Sequence, residues 1–299
     1  MISIHVNITN PETRGFAYLE AIQSYVDLAD EVIVVDGGSD DGSVEKIEAL
    51  SDKITVVENH WPQTDWLWDQ LARNTKFGYE ACNGDWAIKM DLDYMIHERD
   101  IKRIRERLDE MLTRKFPPMT AAFEKFQFQI ADKCFSKSKT HIAVNKKHYG
   151  EFLNYGRAYD SDTDFMWAIH PEHEVNGLYI GKSVIQYAGM IERIGYGVYC
   201  YDLTFMTLKQ LEEVRPIYDY ARAKYYNSNH SDERVREFAS KAMQRLQEFF
   251  VERWNSSNWR DIPLKKHPKY IQDRLKAIRE DQFGYNNFGW LGDVKITNW

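Results

Sequence analysis

Two aspartates separated by one residue are the strongest chemical signal in the sequence. Asp91 and Asp93 come directly after the apolar segment 86–90, which predicts a strand. Because alternate residues of a strand point to one side, we expect both carboxylates to face the same point. Carboxylate oxygens suit Mg²⁺ or Mn²⁺, and Mg²⁺ usually completes its coordination shell with water and substrate phosphates. The pair predicts a divalent-metal site, and the simpler alternative is two solvated carboxylates in a turn.

A second acidic loop follows an earlier apolar segment. Residues 31–35 are rich in β-branched side chains, which predicts a buried strand, and Asp36, Gly37 and Gly38 come next. Adjacent glycines let the backbone adopt conformations closed to other residues and let a ligand approach closely, while Ser43 is a candidate cap for the following helix. The spacing matches neither a dinucleotide fingerprint nor a phosphate or calcium loop. It predicts a nucleotide-sized niche, with a plain turn as the alternative.

Strands and helices alternate through the first third of the chain. We expect strands at 2–8, 31–35 and 54–57, and amphipathic helices at 16–26 and 101–112. This alternation predicts an α/β fold with a mostly parallel sheet flanked by helices. Both acidic loops would then lie at carboxyl ends of strands, where open α/β sheets bind ligands.

These segments together resemble the family-two glycosyltransferases of the GT-A fold, over roughly the first third of the chain. The matching segments, in order, are the loop 36–43, Leu71-Ala72-Arg73-Asn74, Gly84-Asp85-Trp86 and Asp91-Leu92-Asp93. The sequence is also similar to the subgroup that modifies lipopolysaccharide cores, whose members have tryptophans before the Ala-Arg-Asn stretch, here Trp61, Trp66 and Trp68. Gly37 stands where many relatives have a second Asp, and the family's usual Glu-Asp base motif is not identified.

The resemblance implies roles for the matching positions. The nucleotide donor would be bound by Thr9, Asp36, Gly37, Arg73 and Asp91. Within this set, Asp36 would accept a hydrogen bond from the nucleobase, and Asp91 would face the ribose or a metal-bound water. Asp93, together with Asp91, would hold the Mn²⁺ or Mg²⁺ ion that bridges the diphosphate. Such an ion neutralises the charge that develops on the leaving diphosphate.

The reaction also needs a general base that takes the proton of the acceptor hydroxyl. The segment 159–174 is dense in titratable groups and contains three candidate carboxylates, Asp162, Asp164 and Glu174. Asp164 and Glu174 rank equally, and His173-Glu174 resembles a pair found in the lipopolysaccharide subgroup. His173 is also a candidate metal ligand, since imidazole binds Mn²⁺ in mixed sites. The alternative is an acidic loop with a structural histidine.

Composition limits the class of protein. A chain of 299 residues with 43% hydrophobic residues predicts a folded globule, and its net charge of −7 argues against nucleic acid as the main partner. Three scattered cysteines are typical of a reducing compartment. No segment approaches the roughly 20 apolar residues needed to span a bilayer, and no leader is evident. We expect a cytoplasmic protein, with peripheral attachment at the inner face of a membrane left open.

Two further segments have two interpretations each. Lys133, Lys137 and Lys139 predict a basic loop between two strands, which could meet an acidic acceptor but more often is solvated surface. The segment 283–290 interleaves glycines with aromatic residues, which fits either a lid over the donor or a tail packed on the body. The packed tail is the favoured interpretation.

The sequence thus predicts a catalytic domain at 1–200 and a helical extension at 201–299. We expect a metal-dependent hexosyl- or pentosyltransferase that moves a sugar, with inversion, from a nucleoside-diphosphate donor, most simply of the uridine type. The acceptor would be a hydroxyl of a saccharide or glycoconjugate, and a nucleic-acid acceptor stays open. One alternative is a sugar-phosphate nucleotidylyltransferase, although residues 1–15 lack its Gly-rich basic loop. The other is a non-catalytic subunit that binds a nucleotide sugar or glycan.

Overall fold

The computed structural model describes residues 1–60, 68–149, 191–226 and 231–297. Its strands are β1 (Ile2–Ile8), β2 (Glu31–Asp36), β3 (Ile54–Glu58), β4 (Trp86–Met90), β5 (Tyr94–Ile96), β6 (Thr120–Ile130), β7 (Lys133–Asn145), β8 (Ile191–Cys200) and β9 (Arg260–Asp261). Its helices are α1 (Tyr18–Leu28), α2 (Ser43–Glu48), α3 (Trp68–Ala81), α4 (Ile101–Leu112), α5 (Lys146–Tyr149), α6 (Leu208–Tyr226), α7 (Asp232–Ser240), α8 (Ala242–Ser256), α9 (Lys269–Lys276) and α10 (Phe283–Asn286).

The strands form one sheet in the order β3-β2-β1-β4-β7-β6-β8-β5, and β9 pairs with β7. The first four strands in this order are parallel. Antiparallel β7 joins them to β6, which is parallel to β8. The predicted α/β class, with helices flanking a sheet whose first half is parallel, is confirmed. The predicted strands at 2–8, 31–35 and 54–57 and the helices at 16–26 and 101–112 are also confirmed.

The main core lies on one face of the sheet and follows from the alternation along β1. Ile4 and Val6 are fully buried on this face, where they meet Ile22 of α1 and Ile104 of α4 in one apolar cluster. Burial of an aliphatic side chain of this size contributes about 1.5–3 kcal/mol. The period-two pattern of the strand and the 3.6-residue pattern of the helices therefore select this packing together.

Helix α3 packs on the opposite face, at unusually close range. A Cβ atom at Gly78 would lie 2.9 Å from Nδ1 of His5 and 2.9 Å from Cγ2 of Val35. The side chain of Asn7 on β1 donates to the hydroxyl of Thr75 at 2.9 Å. A glycine is therefore required where the helix crosses the sheet, and a polar contact fixes the helix next to the end of β1.

The C-terminal residues are helical, as predicted. Ser231 caps α7, with its hydroxyl accepting from the backbone N–H of Arg234, and α9 is a further short helix of this region. The segment 283–290 packs on the body, because Phe283 is fully buried and its ring centre lies 4.8 Å from that of Phe250. The packed-tail interpretation is confirmed.

The predicted basic loop is wrong. Lys133, Lys137 and Lys139 lie within β7, and Lys137 pairs with Lys125 of β6 in an antiparallel ladder. The lysines interrupt the apolar pattern of the segment but do not prevent strand pairing, since this part of β7 pairs with β6 and, at Lys133, with β9.

Candidate active site

The carboxyl ends of β1, β2 and β4 meet at one edge of the sheet. Ile8 of β1 pairs with Asp36 of β2, and Asp91 follows the last residue of β4, on the other side of β1. Thr9 and Gly37 lie at the same edge, where the N–H of Gly37 donates to the carbonyl of Ile8 at 3.0 Å. Because neighbouring strands lie ~4.8 Å apart, one intervening strand separates Asp36 from Asp91 by about 10 Å.

The loop after β2 is preorganised around Asp36. This carboxylate is 5% exposed and accepts from the N–H of Ser39 at 3.0 and 3.1 Å and from its hydroxyl at 2.6 Å. Gly38 has φ +96°, and a Cβ atom there would lie 3.3 Å from the ring of His60. A carboxylate offers about four lone-pair positions, so Asp36 can still accept from a nucleobase while it holds the loop.

The start of α2 differs from the prediction. Gly42 occupies the N-cap position with φ +75°, and Ser43 is the first helical residue and caps nothing with its side chain. Instead, Asp41 accepts from the N–H of Ser43 at 3.2 Å and from that of Thr13 at 3.0 Å. The predicted cap at Ser43 is wrong because the left-handed turn at Gly42 brings Asp41, two residues earlier, to the helix start.

Asp91 and Asp93 lie in a turn and not on a strand. β4 ends at Met90, and the N–H of Tyr94 donates to the carbonyl of Asp91 at 3.0 Å, which closes the turn. The hydroxyl of Tyr25 on α1 donates to the carbonyls of both Asp91 and Tyr94. Burial, followed by the charges of Asp93 and Asp91, raises the pKa of Tyr25 well above its usual value, so the hydroxyl keeps its proton. Strand alternation therefore does not place these carboxylates; the pinned turn does.

Asp91 faces a lysine. The ammonium of Lys89 lies 2.6 Å from Oδ1 of Asp91, and the side chain of Lys89 is 13% exposed, against 37% for Asp91. Lys89 pairs in register with His5 of β1, and α3 packs against His5. Burial, with the charges of Lys89 and Lys146 next, lowers the pKa of His5 to about 3. His5 is therefore neutral at physiological pH and adds no further positive charge.

Asp93 points towards β8. Its Oδ2 accepts from the thiol of Cys200 at 3.1 Å, and its carbonyl accepts from the N–H of Tyr201 at 2.8 Å. The pKa of Asp93 is raised to about 7, first by burial and then by the charges of Asp202 and Asp91, while Lys125 and the Cys200 hydrogen bond act in the opposite direction. A carboxylate under this repulsion is stabilised by any cation that binds beside it.

Three residues near Asp93 were not predicted as site residues. Asp202, after β8, accepts from the side-chain amide of Gln127 at 3.3 Å. Lys125, two residues before Gln127 on β6, donates to the hydroxyl of Tyr94 at 2.6 Å, with its ammonium 4.4 Å from the ring centre. The i, i+2 spacing of Lys125 and Gln127 shows that they share a side of one strand. No sequence signal indicates that Asp202 joins them.

A divalent cation fits the carboxylates only in part. Asp91 and Asp93 offer the hard oxygen ligands that Mg²⁺ and Mn²⁺ prefer, and the repulsion at Asp93 favours a positive neighbour. Within the described ranges, however, no three His, Cys, Asp or Glu side chains are grouped so as to hold a metal ion. The pair can contribute ligands, and the remaining ligands must come from elsewhere.

Several predicted residues lie outside the described part of the chain. These are Asp162, Asp164, Glu174 and His173, with Trp61 and Trp66, so the general base and the histidine ligand stay predictions. Arg73 lies on α3, but its side chain is not described. Its neighbour Asn74 exchanges hydrogen bonds of 3.1 Å with the side chain and carbonyl of Asn59, whose N–H donates to the carbonyl of Asp36 at 2.8 Å. The middle of α3 is thereby tied to the Asp36 loop.

A family model matches part of the chain. Residues 18–114, about a third of the sequence, match Glycosyl transferase family 2. The matched segment contains Asp36, Asp91 and Asp93 and ends before β6. Nothing in the match distinguishes the lipopolysaccharide-core subgroup. No curated protein matches the chain by sequence.

Similar solved structures share little sequence with this chain. The mannosyltransferase PcManGT from Pyrobaculum calidifontis, in complex with GDP-Man and Mn²⁺, is 12% identical over 93% of this chain and 85% of its own, with a TM-score of 0.42. S. aureus TarS 1–349 with UDP-GlcNAc is 16% identical over 43% of this chain and 34% of its own, with a TM-score of 0.30. A nucleotidyl transferase from Methanothermobacter thermautotroptrophicus is 16% identical over 67% of this chain and 87% of its own, with a TM-score of 0.36.

No helix of the described residues has both the length and the apolar character needed to cross a membrane.

Proposed function

We propose that this chain is a metal-dependent glycosyltransferase of the GT-A type, which moves a sugar from a nucleoside-diphosphate donor to an acceptor hydroxyl with inversion. The observation that supports this most directly is the edge where Asp36 and the Asp91–Asp93 turn flank β1, inside the segment that matches Glycosyl transferase family 2. The loop at Asp36 suits a nucleobase, and the Asp91–Asp93 turn suits a diphosphate. The sugar would then lie beyond Asp93, towards β8. Membership of the lipopolysaccharide-core subgroup is part of this proposal.

The described residues have distinct tasks in this proposal. Asp36 accepts an N–H of the nucleobase, while Thr9 and Gly37 bound the pocket, and we assign Arg73 of α3 to nucleotide binding as well. Asp91 and Asp93 offer oxygens to Mn²⁺ or Mg²⁺, and the bound ion supplies charge neutralisation on the leaving diphosphate. Because the pKa of Asp93 is about 7, this carboxyl gives up its proton when the ion binds near neutral pH.

Proton transfer from the acceptor needs a further group. We assign it to Asp164 or Glu174, with Asp162 as a neighbour, and we assign His173 as an additional metal ligand. A single carboxylate suffices for an inverting displacement, since it takes the proton as the hydroxyl attacks the anomeric carbon. The proposed donor is a uridine-diphosphate sugar, and the proposed acceptor is a saccharide or glycoconjugate. The boundary at residue 200 between the catalytic domain and the helical extension stays a prediction.

The decisive experiment is a donor screen. Uridine- and guanosine-diphosphate sugars are incubated with the protein, with and without Mn²⁺, and the release of nucleoside diphosphate is measured. We expect metal-stimulated release for one donor and its loss, by about 100-fold, in Asp91→Asn and Asp93→Asn, because the ion then lacks a ligand. Asp109→Asn, at an exposed position on α4, is the matched control and should behave as the unmodified chain.

Other outcomes identify the alternatives. Donor binding without turnover under any acceptor would indicate a non-catalytic binding subunit. Release of pyrophosphate from a nucleoside triphosphate and a sugar phosphate would indicate a nucleotidylyltransferase. Equal activity of Asp93→Asn and Asp109→Asn would rule out the proposed role of the acidic turn.

A further inference from the structure

Two ammonium groups lie beside the acidic turn, one on each flank. Lys89 contacts Asp91 at 2.6 Å. Lys125, on β6, donates at 2.6 Å to the hydroxyl of Tyr94, the residue that follows Asp93, and its ammonium lies 4.4 Å from the centre of that ring. Both lysines are partly buried, and they come from strands on opposite sides of β7. Such lysines cost desolvation energy, so a role at the site would account for their placement.

The charges around the turn nearly balance. Asp91, Asp93 and Asp202 contribute three negative charges when ionised, and Lys89 and Lys125 contribute two positive charges. In the fully ionised state this group has a net charge of −1, which attracts a divalent cation only modestly. After one divalent cation has bound, the same group has a net charge of +1, which attracts a diphosphate.

The described residues near the turn also do not offer a full set of oxygen ligands to a cation. Gln127 is 4% exposed, and its Oε1 has no hydrogen-bond partner among the residues that the structure describes, while its amide faces Asp202. The described part of the chain offers no group of three ligands for a metal ion. A cation at this turn therefore has room in its shell for oxygens of the diphosphate, beside water and any ligand from outside the described residues.

We infer that Lys89 and Lys125 are further binding residues of this site, which weaken the binding of a free divalent cation and favour the joint binding of cation and nucleoside diphosphate. The inference rests on the proposed function. Each ammonium repels the free cation but attracts the anionic diphosphate. The two lysines thus make the cation and the nucleotide bind as a pair, which keeps the site from holding an ion that has no donor.

The test measures two affinities that the lysines shift in opposite directions. Mn²⁺ binding is measured alone, from the signal of free Mn²⁺ in electron paramagnetic resonance, and uridine or guanosine diphosphate binding is measured by calorimetry at saturating Mn²⁺. In Lys125→Met we expect Mn²⁺ alone to bind about threefold more tightly and the diphosphate about fivefold more weakly, since one positive charge near the site is removed. Lys89→Met should shift both affinities in the same directions.

Two controls separate charge from structure. Lys102→Met removes a lysine whose side chain is 87% exposed on α4, and it should change neither affinity. Lys125→Arg keeps the charge and should restore both affinities. If Lys125→Met does not fold, Lys89→Met tests the same inference from the other flank of the turn.

Three results would overturn the inference. Affinities within twofold of the unmodified chain in both Lys→Met variants would show that the lysines have no such role. A fall of both affinities together would indicate a structural role only. If the unmodified chain binds Mn²⁺ and neither diphosphate, the proposed function fails and the inference fails with it, and this result is distinct because it appears before any substitution is made.

Discussion

The two halves of the sheet contribute to the site in different ways. In the parallel half, Asp36 ends β2 and the Asp91–Asp93 turn follows β4 directly, and short sequence patterns predict both. In the other half, Lys125, Gln127 and Asp202 come from β6 and from the residues after β8, and only the pairing of distant strands brings them together. The parallel half thus provides residues that a motif can specify, whereas the mixed half adjusts the charge around them. We expect a close-packed position of the parallel half to affect stability most, and a charged position of the mixed half to affect affinity alone.

Gly78→Ala tests the framework of the parallel half and should have the largest effect. Alanine favours a helix, but its Cβ would lie 2.9 Å from both His5 and Val35. We expect the free energy of unfolding to fall by about 2 kcal/mol, which is typical of overpacking in a rigid site. Chemical denaturation measures this change. Val35→Ala removes one of the two contacts, so in the double variant the cost of Gly78→Ala should be smaller; a cost that stays the same would contradict the close-packing explanation.

The pH dependence of metal binding tests the charge balance between the halves. The pKa of Asp93 is about 7, against an ordinary value of 3.8. In the presence of a diphosphate, Mn²⁺ affinity should fall by up to about tenfold for each pH unit below 7, because a proton competes for one ligand. Between about pH 4 and 7 the carboxyl of Asp93 holds a proton in the folded state but not in the unfolded chain. The free energy of unfolding should therefore fall as the pH rises through this range. Titration by calorimetry from pH 5.5 to 8 measures the affinity, and Asp93→Asn should abolish the slope.

Tyr25→Phe tests how the turn is positioned. The hydroxyl of Tyr25 donates to the carbonyls of Asp91 and Tyr94, and both acceptors lose this partner in the variant. We expect a loss of about 1 kcal/mol in the free energy of unfolding, together with a weaker joint binding of Mn²⁺ and diphosphate. Tyr285→Phe, whose hydroxyl makes only a 3.4 Å contact with Glu280, is the matched control. An unchanged affinity in Tyr25→Phe would show that the turn holds its shape without α1.

Asp202→Asn should have the smallest effect. The variant removes one negative charge near Asp93 but can keep the contact with Gln127. We expect Mn²⁺ to bind about threefold more weakly, opposite in sign to the lysine variants, with no loss of stability. A loss of Mn²⁺ affinity as large as that of Asp93→Asn would indicate that Asp202 is a metal ligand. The mixed half of the sheet would then supply a ligand and not only adjust the charge.

Local patterns predicted most of the fold. The bounds of β1 match the predicted strand, and α1 and α4 follow the predicted apolar stripes, because each packs one face on the sheet. The lysine-rich part of β7 is a strand although its sequence predicts a loop, since backbone pairing with β6 and β9 stabilises it and not an apolar pattern.

The candidate site was predictable where its residues are adjacent in sequence. Asp36, Asp91 and Asp93 were found from strands that end in carboxylates. The sequence did not predict that Lys125 lies close to Asp93. This proximity depends on the register of β6 against β8 and on the pairing of β5 with β8, which are about 100 residues apart in the chain. The pairing of Lys89 with Asp91 was equally hidden, since it requires knowing that the acidic residue lies in a turn.

The thiol that donates to Asp93 has a consequence for the redox chemistry of the protein. All three cysteines are buried and unbridged, and burial raises the pKa of Cys82 to about 12, that of Cys134 to about 11 and that of Cys200 well above its usual value. Oxidants and alkylating reagents attack thiolates, which the folded protein therefore lacks at neutral pH. The thiol beside the acidic turn therefore stays protonated at neutral pH, and it should react slowly with oxidants and alkylating reagents.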